Sequence, residues 1–276
     1  MPHHPAQPEP SPLTERVGPP GARLQLFTPG GYEWTRVTLP VAGLPAALAG
    51  LRVVHLTDLH TTHRWHAAYD QLLAQLAAAD PHLLLVTGDF VDDKWDHRAA
   101  LPVVTRLVAG FRARLGVFGI LGNHDRMHFA PRLDDSPVKL IVGQRRLIEH
   151  NGTAIELVGL PGEVREDLTD AWLASFPPRP DASLRIVLAH YPDQIRRTTG
   201  VLRPDIQLAG HTHGGQICLP NGWPPITHDG LPRRYAKGVH RVDDTWLVVG
   251  RGFGTTGLPI RAFCSGQVIE LVLQPA

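Results

Sequence analysis

The chain has 276 residues, 43% of them hydrophobic, and 27 Lys and Arg against 26 Asp and Glu leave a formal charge of +1. That length and apolar content suffice for a sizeable core, and the near balance of charge excludes recognition of nucleic acid or an anionic membrane by bulk electrostatics. Two cysteines, Cys218 and Cys264, are too few and too distant in sequence for a disulfide framework or a thiolate zinc site, whereas 16 histidines are a large stock of coordinating nitrogens.

Residues 1–30 open the chain with Pro2, Pro5, Pro8, Pro10, Pro12, Pro19 and Pro20 in polar surroundings, and are expected to form a disordered or extended tail that includes His3 and His4. Residues 31–276 are expected to form a single domain. No run reaches the roughly 18 apolar residues that span a bilayer, and no basic segment followed by an apolar one marks a signal peptide. A cytoplasmic protein, at most peripheral at the membrane, is the expectation.

From Arg52 onward the pattern alternates. "RVVHLT", "HLLLVT" and "GVFGIL" read as strands, separated by the helical patterns of "WHAAYDQLLAQLAAA" and the segment from Ala99 to Phe111. Strand, helix, strand, helix, strand predicts a parallel sheet with crossover helices, and the continuous apolar runs predict strands covered on both faces. Further on, "RRLIEH" and "TAIELVGL" flank Asn151-Gly152 as a hairpin. "LRIVLAH", "DIQLAGH", "TWLVVG" and "QVIELVL" follow as strands with fewer helices between them.

Five of these strands end in candidate ligands: Asp58 and His60, then Asp89, then Asn123, His124 and Asp125, then His190, then His211 and His213. Sites of α/β proteins assemble at the carboxyl ends of strands, so residues scattered along the chain have a physical reason to meet. Gly88, Gly122 and Gly210 precede three of them, where a chain leaving a strand needs unusual dihedrals or close backbone approach. Oxygen and imidazole donors without thiolate suit manganese, iron, zinc, nickel or cobalt. Even without His124 and Asp125, seven candidate ligands are too many for one tetrahedral ion and suit two divalent ions sharing a carboxylate, manganese first among them; such a pair clamps the attacking and leaving oxygens of a phosphoryl displacement. Taken alone, an Asp-x-His or a His-x-His is usually incidental; five segments in this order are not.

"DLH" at 58–60, "GDF" at 88–90, "GNHD" at 122–125, "AHYP" at 189–192 and "GHTH" at 210–213 resemble the calcineurin-like metallophosphoesterases. "GHTHGGQICLP" and "RGFGTTGLPIR" resemble the YaeI-type bacterial phosphodiesterase branch, which is related to UDP-2,3-diacylglucosamine pyrophosphatases. The resemblance implies an α/β metallo-dependent phosphatase fold: a four-layer αββα sandwich, two central mixed sheets flanked by helices. It implies one ion held by Asp58, His60, Asp89 and His213 and a second by Asp89, Asn123, His190 and His211, with Asp89 bridging. It also implies that His124 stays off the metals and faces the leaving group, oriented by Asp125. Thr61-Thr62 departs from the small or apolar residue and glycine common in relatives.

The loop "LPNGWPPITHDGLPRRYAKG" begins beside His213, and His228, Arg233, Arg234 and Tyr235 in it are candidate substrate contacts, with Trp223 nearby. His55 reads as a packed histidine. The function expected is dimetal hydrolysis of a phosphodiester or pyrophosphate bond in a small phosphate ester, lipid- or nucleotide-linked, by in-line attack of a metal-bridging hydroxide, with no specific nucleic-acid partner. Phosphomonoester or phosphoprotein hydrolysis, and a catalytically silent binding scaffold, stand as alternatives.

Overall fold

The computed structural model describes residues 11–26, 31–162, 170–176 and 183–276. In chain order the first strands and helices are β1 (Leu13–Val17), β2 (Leu24–Leu26), β3 (Tyr32–Val41), β4 (Arg52–Leu56), α1 (Ala67–Ala79), β5 (Leu83–Val86), α2 (Leu101–Ala109), β6 (Gly116–Gly119) and β7 (Val138–Leu140). The second half contributes β8 (Gln144–His150), β9 (Thr153–Gly159), α3 (Asp170–Ala174), β10 (Leu184–Leu188), α4 (Ile195–Val201), β11 (Ile206–Ala209), β12 (Gly238–Val242), β13 (Thr245–Val249), β14 (Ile260–Ala262) and β15 (Gly266–Pro275).

A seven-stranded sheet runs β1-β3-β15-β4-β5-β6-β7, and a six-stranded sheet runs β12-β13-β11-β10-β9-β8. Both are mixed. The parallel run β4-β5-β6-β7 lies in the first sheet, flanked by β15, which is antiparallel to β4 and parallel to β3, with β1 antiparallel to β3; the parallel run β9-β10-β11-β13 lies in the second, with β8 and β12 antiparallel at its edges.

Strand alternation sorts the apolar side chains into layers. Val53, Leu83, Leu85, Ile269 and Leu271 of the first sheet meet Ile155, Leu157, Ile186, Leu208 and Val248 of the second in one central core. Their neighbours Val54, Leu84 and Val86 face outward onto Leu72 and Leu76 of α1 and Val104 and Leu107 of α2. On the far side Val187, Leu247 and Val249 pack with Leu173 of α3 and Ile195 of α4. Helix, sheet, sheet and helix therefore form the expected four-layer αββα sandwich, and burial on both faces explains why the strands read as unbroken apolar runs. The predicted hairpin is β8–β9, and its Asn151-Gly152 turn has φ of 51° and 73°.

Other strands escape the sequence reading. β3 carries Trp34 and Val37 among polar residues, and its place is set by long-range partners: Glu270 accepts from Trp34 Nε1 at 2.8 Å, and the Pro40 carbonyl accepts from Trp246 Nε1 at 2.5 Å. Within residues 1–30, expected as a disordered or extended tail, β1 pairs with β3 and β2 pairs with β14, so these two segments are extended and docked on the domain. His3 and His4 lie outside the described residues. Among the described residues no helix is long and apolar enough to cross a membrane.

Leu271 is fully buried between the sheets. Leu271→Ala is expected to cost about 2–5 kcal/mol in urea denaturation; a loss below about 1 kcal/mol contradicts a close-packed interface there.

Candidate metal centre

The parallel strands of both sheets end at one place. Asp58 and His60 follow β4, Asp89 follows β5, Asn123 and His124 follow β6, His190 follows β10, and His211 and His213 follow β11. Close approach of the two sheets requires glycine: a Cβ on Gly210 would lie 1.9 Å from Thr57 Oγ1, and one on Gly122 would lie 2.2 Å from Asp89 Oδ1 and 2.7 Å from His190 Cε1. The turns that carry the donors are themselves strained. Asp58, His60, Asp89, His211 and His213 have φ between 42° and 66°, a conformation that costs non-glycine residues about 1–3 kcal/mol and persists where the surroundings impose it.

All seven predicted ligands converge. In one group His213 Nε2 lies 3.0 Å from His60 Nε2 and 3.4 Å from Asp58 Oδ1, and His60 Nε2 lies 3.4 Å from Asp89 Oδ2. In the other, Asn123 Oδ1 lies 2.9 Å from His190 Nε2 and 3.1 Å from His211 Nδ1, and His190 Nε2 is again 3.4 Å from Asp89 Oδ2. One Asp89 oxygen thus stands between both groups. Donor atoms about 3.0–3.4 Å apart match the edges of a coordination shell with bonds of about 2.1 Å.

The outward nitrogens of three histidines settle which way their lone pairs point. His190 Nδ1–H donates to the Thr87 carbonyl at 2.8 Å, His211 Nε2–H to the His228 carbonyl at 3.2 Å, and His60 Nδ1–H to Asp92 Oδ1 at 3.1 Å. When neutral, each therefore aims an unprotonated nitrogen at the carboxylates and the Asn123 carbonyl oxygen. Acceptors converging on acceptors require a cation between them, and this donor set fits one.

Without a metal, protons take that role. Burial opposes charge on His60, but Asp89, Asp92 and Asp58 outweigh it and raise its pKa to about 10; Asp89 and Asp58 likewise raise His190 to about 9 against burial. Burial would also raise Asp58, and His213 and His190 more than offset it, holding the carboxyl below its usual range. His213 itself is pushed down to about 4 by burial, joined by His60 and Arg261.

His124 lines the cavity beside these groups, with its ring centroid 4.7 Å from that of His60. Its Nδ1–H donates to the Asp92 carbonyl, so Nε2 is the nitrogen left to exchange a proton at the cavity. Asp125 was expected to orient this ring and does not touch it. Its carboxylate instead accepts from the backbone N–H groups of Asp89 and Phe90 at 2.7 Å, Gly122 at 2.9 Å and Val91 at 3.3 Å. The reason is local: a fully buried carboxylate needs donors, and the loops after β5 and β6 aim their amides at it.

Of the loop candidates, His228 lines the cavity and supplies its carbonyl to His211, whereas Arg233, Arg234 and Tyr235 are not among the cavity's lining residues. Arg233 lies over the Trp223 ring, Arg234 lies over Tyr235, and Tyr235 packs edge-on against His240. Their side chains satisfy one another away from the metal cluster. His55 is buried, with Nε2 2.8 Å from Thr87 Oγ1. Thr61 donates from Oγ1 to the Phe90 carbonyl at 2.8 Å, tying the loop after β4 to that after β5.

Sequence reasoning missed Asp92 and Arg261. Asp92 sits three residues beyond Asp89, and that spacing was a usable signal. Arg261 is buried, with Nη2 3.2 Å from His213 Nδ1, and donates to the carbonyls of Arg251, Gly254 and Cys264 at 2.6–3.1 Å; only the packed structure shows what it holds.

A family model described as calcineurin-like phosphoesterase matches residues 51–215. The chain is 27% identical over 259 residues to the uncharacterized metallophosphoesterase YkuE of Bacillus subtilis (strain 168), covering 89% of this chain and 87% of that one. It is 27% identical over 259 residues to the phosphodiesterase YaeI of Escherichia coli (strain K12), covering 88% and 90%. It is 25% identical over 270 residues to a transmembrane protein with metallophosphoesterase domain from Bos taurus, covering 88% of this chain and 57% of that one.

The raised histidines give the site a pH signature. In metal-free protein the stability from charged His60 and His190 is complete below the free-imidazole value of 6.5 and is lost as pH rises through about 9 and about 10. A cation must displace those protons, so its affinity rises with pH. Between about pH 6.5 and 8.5 the Tm contribution of these pairs is expected to fall in metal-stripped protein, while the increment in Tm given by Mn²⁺ grows. An increment independent of pH contradicts the assignment.

Proposed function

Because the chain belongs to the calcineurin-like phosphoesterase family, we propose that it hydrolyses a phosphodiester or pyrophosphate bond with two divalent ions, manganese foremost. The observation that carries the proposal is Asp89 Oδ2, 3.4 Å from both His60 Nε2 and His190 Nε2: one carboxylate shared by two donor groups. Similarity to a phosphodiesterase over most of both chains favours the diester class.

Asp58, His60, Asp89 and His213 hold one ion, and Asp89, Asn123, His190 and His211 the other. Divalent ions bound there supply Lewis-acid polarisation of the phosphoryl oxygens and an acidified water for in-line attack. The Thr87, His228 and Asp92 acceptors fix the ring orientations of His190, His211 and His60, so the donors need not reorganise when charge develops. His124, with Nδ1 tied to the Asp92 carbonyl, presents Nε2 to protonate the departing oxygen. Asp125 acts one step back, holding the backbone on which Asp89 sits.

Metal-stripped protein given Mn²⁺, Zn²⁺, Ni²⁺ or Mg²⁺ is expected to turn over bis-p-nitrophenyl phosphate faster than p-nitrophenyl phosphate. No turnover with any metal, in folded protein, supports a silent scaffold instead. His124→Ala is expected to lower kcat by about 10² or more with bound metal unchanged; loss of metal in that variant makes His124 a ligand.

A further inference from the structure

The cavity over the metal cluster holds about 540 Å³. Its floor is polar: Asp89, Asn123, His124 and His211. Another part of the lining is apolar and is made by Ile217, Pro225, Ile226 and Leu258. Three of these apolar side chains stand open, Ile217 at 39%, Ile226 at 61% and Leu258 at 59% exposure. Exposed apolar groups clustered at the mouth of a polar site are where an apolar ligand is bound.

This wall is built. The Gln216 side chain donates from Nε2 to the carbonyls of Thr256 and Leu258, both at 2.9 Å, and accepts from Thr256 N–H at 3.0 Å. One amide thus clips the Leu258 segment to the turn that carries His213. Gly215, with φ of 90°, lets Pro224 approach so closely that a Cβ would lie 2.2 Å from it, which brings Pro225 and Ile226 to the same rim.

The apolar surface continues outward. Ile217 pairs with Ala262, Ala262 with Leu24, and Ile260 with Leu26. Residues opposite one another share a face, so Leu24 and Leu26, exposed at 60% and 50%, lie on the same side as Ile217, while Gln25 and Arg261 are buried on the other.

Resting on the phosphoesterase reading above, we propose that this wall is the subsite for a long apolar chain, alkyl or isoprenyl, esterified to the phosphate at the metal cluster. The occupant belongs to the substrate because Ile217, Ile226 and Leu258 line the same cavity as Asp89 and His124; a group seated on them is held within the molecule being cleaved. The face of β2 and β14 gives a chain that outgrows the cavity a path outward.

The test is the kcat/KM of Mn²⁺-loaded protein for methyl, butyl and octyl p-nitrophenyl phosphate, kept below micelle formation. Each buried methylene is expected to raise kcat/KM about two- to fourfold, up to about 0.8 kcal/mol each, and calorimetry is expected to show octylphosphonate binding more tightly than methylphosphonate in the same measure. Ile226→Asn, at an exposed position that tolerates substitution, is expected to lower the octyl-to-methyl ratio several-fold in both measurements. Equal values for the three esters, with the methyl ester turned over, overturn the subsite and leave the phosphoesterase reading intact. No turnover of any ester, in protein that binds the phosphonates without chain-length preference, overturns both. Binding of the protein to phosphatidylcholine vesicles that Ile226→Asn abolishes, without chain-length dependence for the soluble esters, makes the face a bilayer-docking surface and also overturns the subsite.

Discussion

Asp58 and Asp89 are carboxylates with almost no exposure, held side by side where two sheets meet. Burying ionised groups is unfavourable by several kcal/mol each unless positive charge accompanies them. Every other feature of the site follows from supplying that charge. His60, His190, His211 and His213 surround the pair, three of them with outward nitrogens tied to acceptors, so that the inward nitrogens of His60 and His190 face the Asp89 carboxylate and that of His211 faces Asn123 Oδ1. Metal-free, the cluster draws protons onto His60 and His190; a bound cation would take their place.

The fold exists, from the site's viewpoint, to bring these groups to one spot. Parallel strands direct their carboxyl ends the same way, and the face-to-face packing of β4, β5 and β6 against β10 and β11 makes two such sets of ends adjacent. Gly122 and Gly210 remove the side chains that would hold the sheets apart. Both Asp58 oxygens accept from the His211 backbone N–H at 3.1 Å, so a candidate ligand of the first sheet anchors the turn bearing candidate ligands of the second. Asp125 performs the same service within the first sheet. Folding and site formation are therefore one event: a displacement of either sheet moves donors of both groups.

The strand ends and their donors were legible because each strand is short, doubly covered and followed at once by a polar residue in a tight turn. The order of elements predicted the first parallel run with its crossover helices, whereas the four-layer αββα arrangement was implied by the resemblance that the strand-end motifs carry. β3 was harder to see, since its Trp34, Thr35 and Val37 lie between the short, polar β1 and β15, the latter more than 200 residues away. The role that the resemblance gave to Asp125 failed for a different reason: its buried carboxylate is taken up by the backbone N–H groups of Asp89, Phe90, Val91 and Gly122, and the His124 ring is held by the Asp92 carbonyl instead. Arg233 and Arg234 looked like phosphate-binding groups by type and neighbourhood, but stacking on Trp223 and Tyr235 turns them elsewhere. Gln216 carried no signal by itself, because an amide that clips one loop to another is recognisable only when both loops are in place.

In the reaction proposed above, the two donor groups on either side of Asp89 each hold an ion. Anomalous diffraction from crystals grown with Mn²⁺ tests it most directly. Two peaks flanking the Asp89 carboxylate, one among His60, Asp58 and His213 and the other among His190, Asn123 and His211, are the predicted result. A single peak, or density that leaves either group of histidines without an ion at saturating metal, contradicts the two-ion account.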